Sequence, residues 1–159
     1  MKTLILYATK YGAAETCAKK LKEKLSGEVE LLNLKGAKNI DLATYDKVII
    51  GSSVYIGKIR KEARNFCENN LNELQKKKIA LYISCMSRGE DAEKQIANNF
   101  PSVLVENALT VDILGGAFSF KKMNFFERMV IKKIAGTDED ESNILEKNIN
   151  KFADIINAA

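Results

Sequence analysis

Histidine does not occur in this sequence, and proline occurs once, at Pro101. Without an imidazole there is no Ser–His or Cys–His nucleophile pair, and a zinc or non-haem iron centre loses its commonest nitrogen ligand. Cysteine is sparse: Cys17, Cys67 and Cys85 are odd in number and show no C-x-x-C or other metal-ligand spacing. They read as reduced, packed thiols. No apolar stretch approaches 18 uncharged residues, so no spanning helix is expected. The opening apolar run is interrupted at Thr9 and Lys10, too soon for a signal-peptide core, and the expected location is the cytoplasm. Two phosphate-binding signatures are also missing. There is no G-x-x-x-x-G-K-[ST], and no G-x-G-x-x-G follows an apolar run. The first run ends in Tyr7-Ala8, with no acidic pair to hold magnesium. Hard chemistry, if this chain performs any, must come from a borrowed cofactor.

What is present is the composition of an ordered globular chain. Its 159 residues, 46% hydrophobic and 29% charged, are about one domain's worth and enough for a substantial core. Short apolar, β-branched runs at 1–8, 28–34, 47–54, 79–85 and 109–118 read as strands. Between and after them, helical spacing appears over 13–25, 60–75, 92–100 and 142–157. The runs lack clean alternation, as strands buried on both faces do, and helical crossovers imply a parallel sheet. The expected fold is therefore α/β, a five-stranded parallel sheet in the order 2-1-3-4-5 with helices on both faces. No linker, repeat or low-complexity tract is visible, so residues 1–159 are expected to form a single domain.

In such a sheet the ligand lies beyond the carboxyl ends of the strands, where the strand order reverses. The first and third strands flank that point. After the first comes Thr9-Lys10-Tyr11-Gly12-Ala13-Ala14-Glu15, running straight into a helix. Exposed amides backed by a helix N-terminus bind anions. Gly12 permits close backbone approach, Thr9 supplies a hydroxyl and Lys10 a positive charge. After the third strand comes Gly51-Ser52-Ser53-Val54-Tyr55-Ile56-Gly57, where Tyr55 offers an aromatic face to a planar ring. Ser52 and Ser53 either end the strand or contact the ligand. After the fourth strand comes Ser84-Cys85-Met86-Ser87-Arg88-Gly89. There Cys85 is a core thiol or a ligand contact, and Arg88 faces solvent, the cofactor or an anionic substrate.

These three loops resemble those of the flavodoxin family. The one after the first strand is similar to its phosphate loop, Ser/Thr-x-Thr-Gly-x-Thr-Glu, with Ala14 where the family has threonine. The one after the third strand is similar to the loop whose aromatic lies against the isoalloxazine. The one after the fourth strand falls where the family has its third flavin loop. The resemblance spans nearly the whole chain and is closest to the branch containing menaquinone-dependent protoporphyrinogen dehydrogenase. It rests there on the opening MKTLILYAT, the aromatic-Gly of the loop after the third strand, and the segment through Phe118, Phe125, Phe126, Glu127, Arg128 and Met129. It implies a flavodoxin-like three-layer sandwich holding one FMN without covalent attachment. The implied cofactor contacts are Thr9, Lys10, Tyr11, Gly12, Ala13, Ala14, Ser52, Ser53, Val54, Tyr55, Ile56, Gly57, Ser84, Cys85, Met86 and Arg88. No side chain stands out as a catalytic acid or base, and no metal ligands are expected. A missing hydroxyl at position 14 weakens phosphate binding by about 1 kcal/mol without abolishing it.

The resemblance implies either an FMN oxidoreductase of the protoporphyrinogen type, acting in haem biosynthesis, or a flavodoxin carrying single electrons between redox proteins. The expected partners are correspondingly a quinone- or porphyrin-like small molecule or a redox protein. Residues 117–136 form a basic-aromatic insertion. Lys121, Lys122, Arg128, Lys132 and Lys133 face only Glu127, which leaves +4, the whole formal charge of the chain. This segment reads as a packed helix with basic ends, a lid over the flavin, or a patch for peripheral contact with a membrane or an acidic partner. No nucleic-acid motif accompanies the charge, and nucleic acid is not an expected partner.

Overall fold

The computed structural model describes residues 1–85, 90–118, 125–135 and 141–159. The chain runs β1 (Lys2–Ala8), α1 (Ala13–Lys24), β2 (Glu28–Asn33), β3 (Lys47–Tyr55), β4 (Lys58–Ile59), α2 (Lys61–Asn69) and α3 (Leu71–Leu74). It continues as β5 (Lys78–Ser84), α4 (Glu90–Asn99), α5 (Ser102–Asn107), β6 (Val111–Ile113) and β7 (Gly115–Phe118). Last come α6 (Phe125–Ala135), β8 (Glu141–Ile144) and α7 (Glu146–Ala158).

Side chains along a strand alternate between its two faces, and here both faces are buried. On β1, Leu4, Leu6 and Ala8 enter one hydrophobic cluster while Ile5 and Tyr7 enter the other. The same division holds on β3, with Val48 and Ile50 opposite Ile49, and on β5, with Ile79, Leu81 and Ile83 opposite Ala80 and Tyr82. One cluster is covered by Ala63, Phe66 and Cys67 of α2, Leu74 of α3, Ile96 of α4 and Leu104 of α5. The other is covered by Ala14, Cys17, Ala18 and Leu21 of α1 and by Ile149, Phe152, Ala153 and Ile156 of α7, both at helical spacing.

The main sheet is ordered β2-β1-β3-β5-β6, and every pair on that path is parallel. This is the expected 2-1-3-4-5 order. The two-residue β4 lies off the path and folds back antiparallel on β3. Register aligns Ala8 with Ser52, Ser52 with Ile83, Ser53 with Ser84, and Ile83 with Ile113. The carboxyl ends of the four strands therefore form one edge.

Several elements differ from their sequence-based bounds. The helix expected over 60–75 breaks at Asn70, which leaves helical geometry at φ −117° and ψ 19° while its backbone N–H and side-chain amide both donate to the Phe66 carbonyl at 3.0 Å. The strand expected over 109–118 divides after Ile113. Gly115, at φ 91°, turns the chain out of the main sheet, and β7 pairs instead with β8 in an antiparallel ribbon. That pairing takes Glu141–Ile144 as strand, so the last helix starts at Glu146. A short helix, α5, follows Pro101 where none was expected. The expected helix over 92–100 begins two residues earlier.

Candidate functional site

The edge formed by β1, β3 and β5 carries the first two loops singled out from sequence and the start of the third, at Ser84 and Cys85. Gly12 is the N-cap of the 12-residue α1, at φ 97° and ψ −5°. That left-handed conformation is the one for which glycine has no steric penalty. Gly12 has no side chain to cap the first turn, so its helix mouth stays open to an outside acceptor. The loop before it is held by two hydroxyls. Gly12 N–H donates to Thr9 Oγ1 at 2.9 Å, and Lys10 N–H donates to Ser53 Oγ at 3.1 Å. Ser53 thus ties the end of β3 to the loop after β1.

The start of α1 is fixed from below. Ala14 is fully buried, and its carbonyl accepts a hydrogen bond from the Tyr82 hydroxyl at 2.8 Å. Tyr82 is itself fully buried, edge-on to Phe152 at 6.1 Å. An added Cβ at Gly51 would lie 1.9 Å from Tyr82 Cζ, so this glycine opens the space the ring occupies. Burial raises the Tyr82 phenol well above its ordinary range and keeps it a donor.

The loop after β3 forms a hairpin between β3 and β4. Ile56 and Gly57 both have positive φ, 50° and 75°, as the two central residues of a type I′ turn do. Val54 and Tyr55 are half-buried, while Ile56 is 55% exposed. Ser52 is fully buried: its hydroxyl donates to the Ser53 carbonyl and accepts from Arg60 N–H, each at 2.9 Å. Ser84 is also committed internally, donating to the Gly115 carbonyl at 2.7 Å. Cys85 is buried in the hydrophobic cluster at the end of β5. Met86 and Arg88 lie outside the described residues. Burial pushes the thiols of Cys17 and Cys67 up to about 12, which leaves both as inert core groups.

Above the loops sits a group of four side chains. Lys10 Nζ lies 4.0 Å from the centroid of the Tyr55 ring and 5.6 Å from that of Tyr11. The two rings meet edge to face at 6.4 Å. Lys10 also pairs with Glu127 of α6 at 2.8 Å, and the Tyr11 hydroxyl donates to the same carboxylate oxygen. The part of residues 117–136 within α6 is helical, and it reaches the β1–α1 loop. Lys121, Lys122 and Met123 lie outside the described residues. A groove of about 400 Å³ opens elsewhere, between the β2–β3 connection at Leu34 and Ile40 and α2 at Glu62, Phe66 and Asn69. It includes none of the loop residues named above.

Sequence reading brings together Thr9, Lys10, Tyr11, Gly12, Ala14, Ser53 and Tyr55, and the structure places them in one neighbourhood. It misses Tyr82 and Glu127. Tyr82 sits in an ordinary apolar run. Glu127 had one visible signal, as the only acid in a basic segment.

A protein-family model described as a flavodoxin domain matches residues 4–144. The chain belongs to the flavodoxin domain family. Among curated proteins it is 24% identical over 153 residues to the quinone-dependent protoporphyrinogen IX dehydrogenase of Leishmania major. That match covers 89% of this chain and 66% of the relative, so the chain spans just under two thirds of that enzyme's length. It is also 24% identical over 152 residues to the enzyme of the same description from Escherichia coli K12, covering 88% of this chain and 83% of the relative. Among solved structures, oxidised flavodoxin 1 from Bacillus cereus superposes with a TM-score of 0.59 at 14% identity, covering 100% of this chain and 99% of that one. The likeness in shape extends over the full length, and the flavodoxin-like fold follows from it. Among the described residues, no helix is long and apolar enough to cross a membrane.

Proposed function

We propose that this flavodoxin-family chain binds FMN non-covalently at the carboxyl edge of β1, β3 and β5, and that it is an oxidoreductase of the quinone-dependent protoporphyrinogen type. The observation that carries the cofactor assignment is the loop at Gly12. A left-handed glycine cap opens onto a helix N-terminus, with Thr9 and Lys10 beside it. That donor set suits a phosphate. Thr9, Lys10, Tyr11, Gly12, Ala13 and Ala14 would hold the phosphate end, and Ser53 would keep the loop in register with β3. Val54, Tyr55, Ile56 and Gly57 would border the isoalloxazine, together with Ser84 at the end of β5 and with Cys85, Met86 and Arg88, which follow it in sequence. The bound flavin supplies hydride or single-electron chemistry. The chain's own residues position it and restrict solvent around it.

Three features support the enzyme reading over an electron carrier. Both curated relatives described above bear the dehydrogenase description. The chain is basic, with a pI near 8.9, and its excess charge lies wholly in residues 117–136. On α6, Phe126 and Met129 are 72% and 56% exposed, one turn apart, beside the exposed cations Arg128, Lys132 and Lys133. An apolar surface ringed by cations is complementary to a planar substrate bearing carboxylates. The same surface suits peripheral contact with an anionic membrane.

The decisive experiment takes the FMN-loaded protein and offers it protoporphyrinogen with menadione as acceptor. Turnover is expected. A flavin-loaded sample that shows none, yet passes electrons to a redox protein, would assign the chain as a carrier. The visible spectrum of the purified protein tests the cofactor beforehand: yellow colour with oxidised-flavin bands is expected.

A further inference from the structure

Lys10 is the only cation between Thr9 and Glu15, and it is already paired. Its ammonium meets Glu127 at 2.8 Å, with the two side chains only 25% and 17% exposed. Tyr11, next along the loop, donates its hydroxyl to the same Oε2. One carboxylate oxygen thus takes the two side-chain donors that immediately precede Gly12. The contact joins residues more than a hundred positions apart. It is built by the β7–β8 ribbon, which leaves the main sheet at Gly115 and flanks α6 in sequence. Glu127 is also the only acid on α6, a helix that otherwise carries cations.

We propose that Glu127 is a selectivity residue of the cofactor loop, a resident carboxylate that competes with the ligand's phosphate for Lys10 and Tyr11. The inference rests on the FMN reading and goes further, because it says what limits the preference for a phosphorylated flavin. A phosphate dianion arriving at Gly12 either displaces this carboxylate from Lys10 or binds beside it. Both are unfavourable, and the partial burial of the pair limits screening by water. Riboflavin carries no phosphate, so the carboxylate imposes no such penalty on it. Glu127 therefore weakens FMN binding while leaving riboflavin binding alone, and it keeps α6 seated on the loop until the phosphate arrives.

The test compares FMN and riboflavin titrations on the full chain and on Glu127→Gln, which removes the charge and keeps the shape. FMN affinity should rise about fivefold at low salt, with riboflavin affinity unchanged within about twofold. The difference should shrink as salt is raised to about 0.5 M. Glu127→Asp withdraws the charge by one methylene and should fall between. Glu73→Gln, which makes the same charge change on α3, should shift neither ligand. A merely structural role for Glu127 would move both flavins together, and that result overturns the proposal, as would weaker FMN binding in Glu127→Gln. If the unaltered chain binds riboflavin and FMN equally or binds neither, the phosphate assignment itself fails, and the two failures are thereby told apart.

Discussion

Gly51 and Tyr82 show how the site depends on residues that never face it. Glycine at 51 leaves the room in which the Tyr82 ring lies, and the ring's hydroxyl holds the Ala14 carbonyl at the mouth of α1. Gly51→Ala would put a methyl within 2.4 Å of three ring atoms. We expect it to destabilise the fold by about 3 kcal/mol, read as a lower urea midpoint. Tyr82→Phe keeps the ring and removes one buried hydrogen bond, so a loss of about 1 kcal/mol is expected together with weaker FMN binding. The cysteines give a pH prediction. Cys17 and Cys67 have thiol pKa values near 12 in the fold, against about 8.5 in an unfolded chain. Their protonated state favours the fold below the unfolded value. That contribution is lost as pH rises from about 8.5 towards 12, by up to about 1.4 kcal/mol per pH unit per thiol. Denaturant midpoints measured from pH 8 to 10 should fall accordingly. A thiol reagent at pH 8 should label these two only after unfolding.

At the scale of elements, the β3–β4 hairpin holds the clearest local conflict. A type I′ turn favours Asn-Gly, yet Ile56 occupies the first left-handed position with its apolar side chain in solvent. Such a conformation is unfavourable for a β-branched residue by about 1 kcal/mol or more. Ile56→Asn is expected to stabilise the protein by about that amount while lowering FMN affinity. A gain in both would show that Ile56 does not serve the site. The strands and their order were legible because each has a run of apolar residues and each loop has a glycine or a hydroxyl to mark it. The break at Asn70 was not, because the apolar spacing of Phe66, Cys67, Leu71 and Leu74 continues across it. Nor was the bend after Ile113. An apolar run carries no record of which partner it pairs with, and β7 finds its partner in Glu141–Ile144, some 25 positions further along the chain. The loops of the candidate site were legible as local motifs, whereas the Glu127 contact arises only when that ribbon carries α6 back to the β1–α1 loop.

At the scale of the whole molecule, two separate cores clamp one sheet. The helices around them leave the carboxyl edge free for loops whose amides and hydroxyls are organised before any ligand arrives. Net charge is concentrated in residues 117–136, so the rest of the chain sums to formal neutrality, and α6 carries half of that excess. Everything assigned to this chain as a redox protein depends on main-chain donors in the first turn of α1, just after Gly12, taking up a phosphate. The most direct measurement is a titration of FMN fluorescence against the flavin-free protein, with the melting temperature followed in parallel. Flavin emission should quench to saturation at one FMN per chain, with Kd at or below about 1 μM, and hundredfold excess over Kd should raise the melting temperature by about 5–10 °C. Unquenched emission with an unmoved melting temperature would contradict the account.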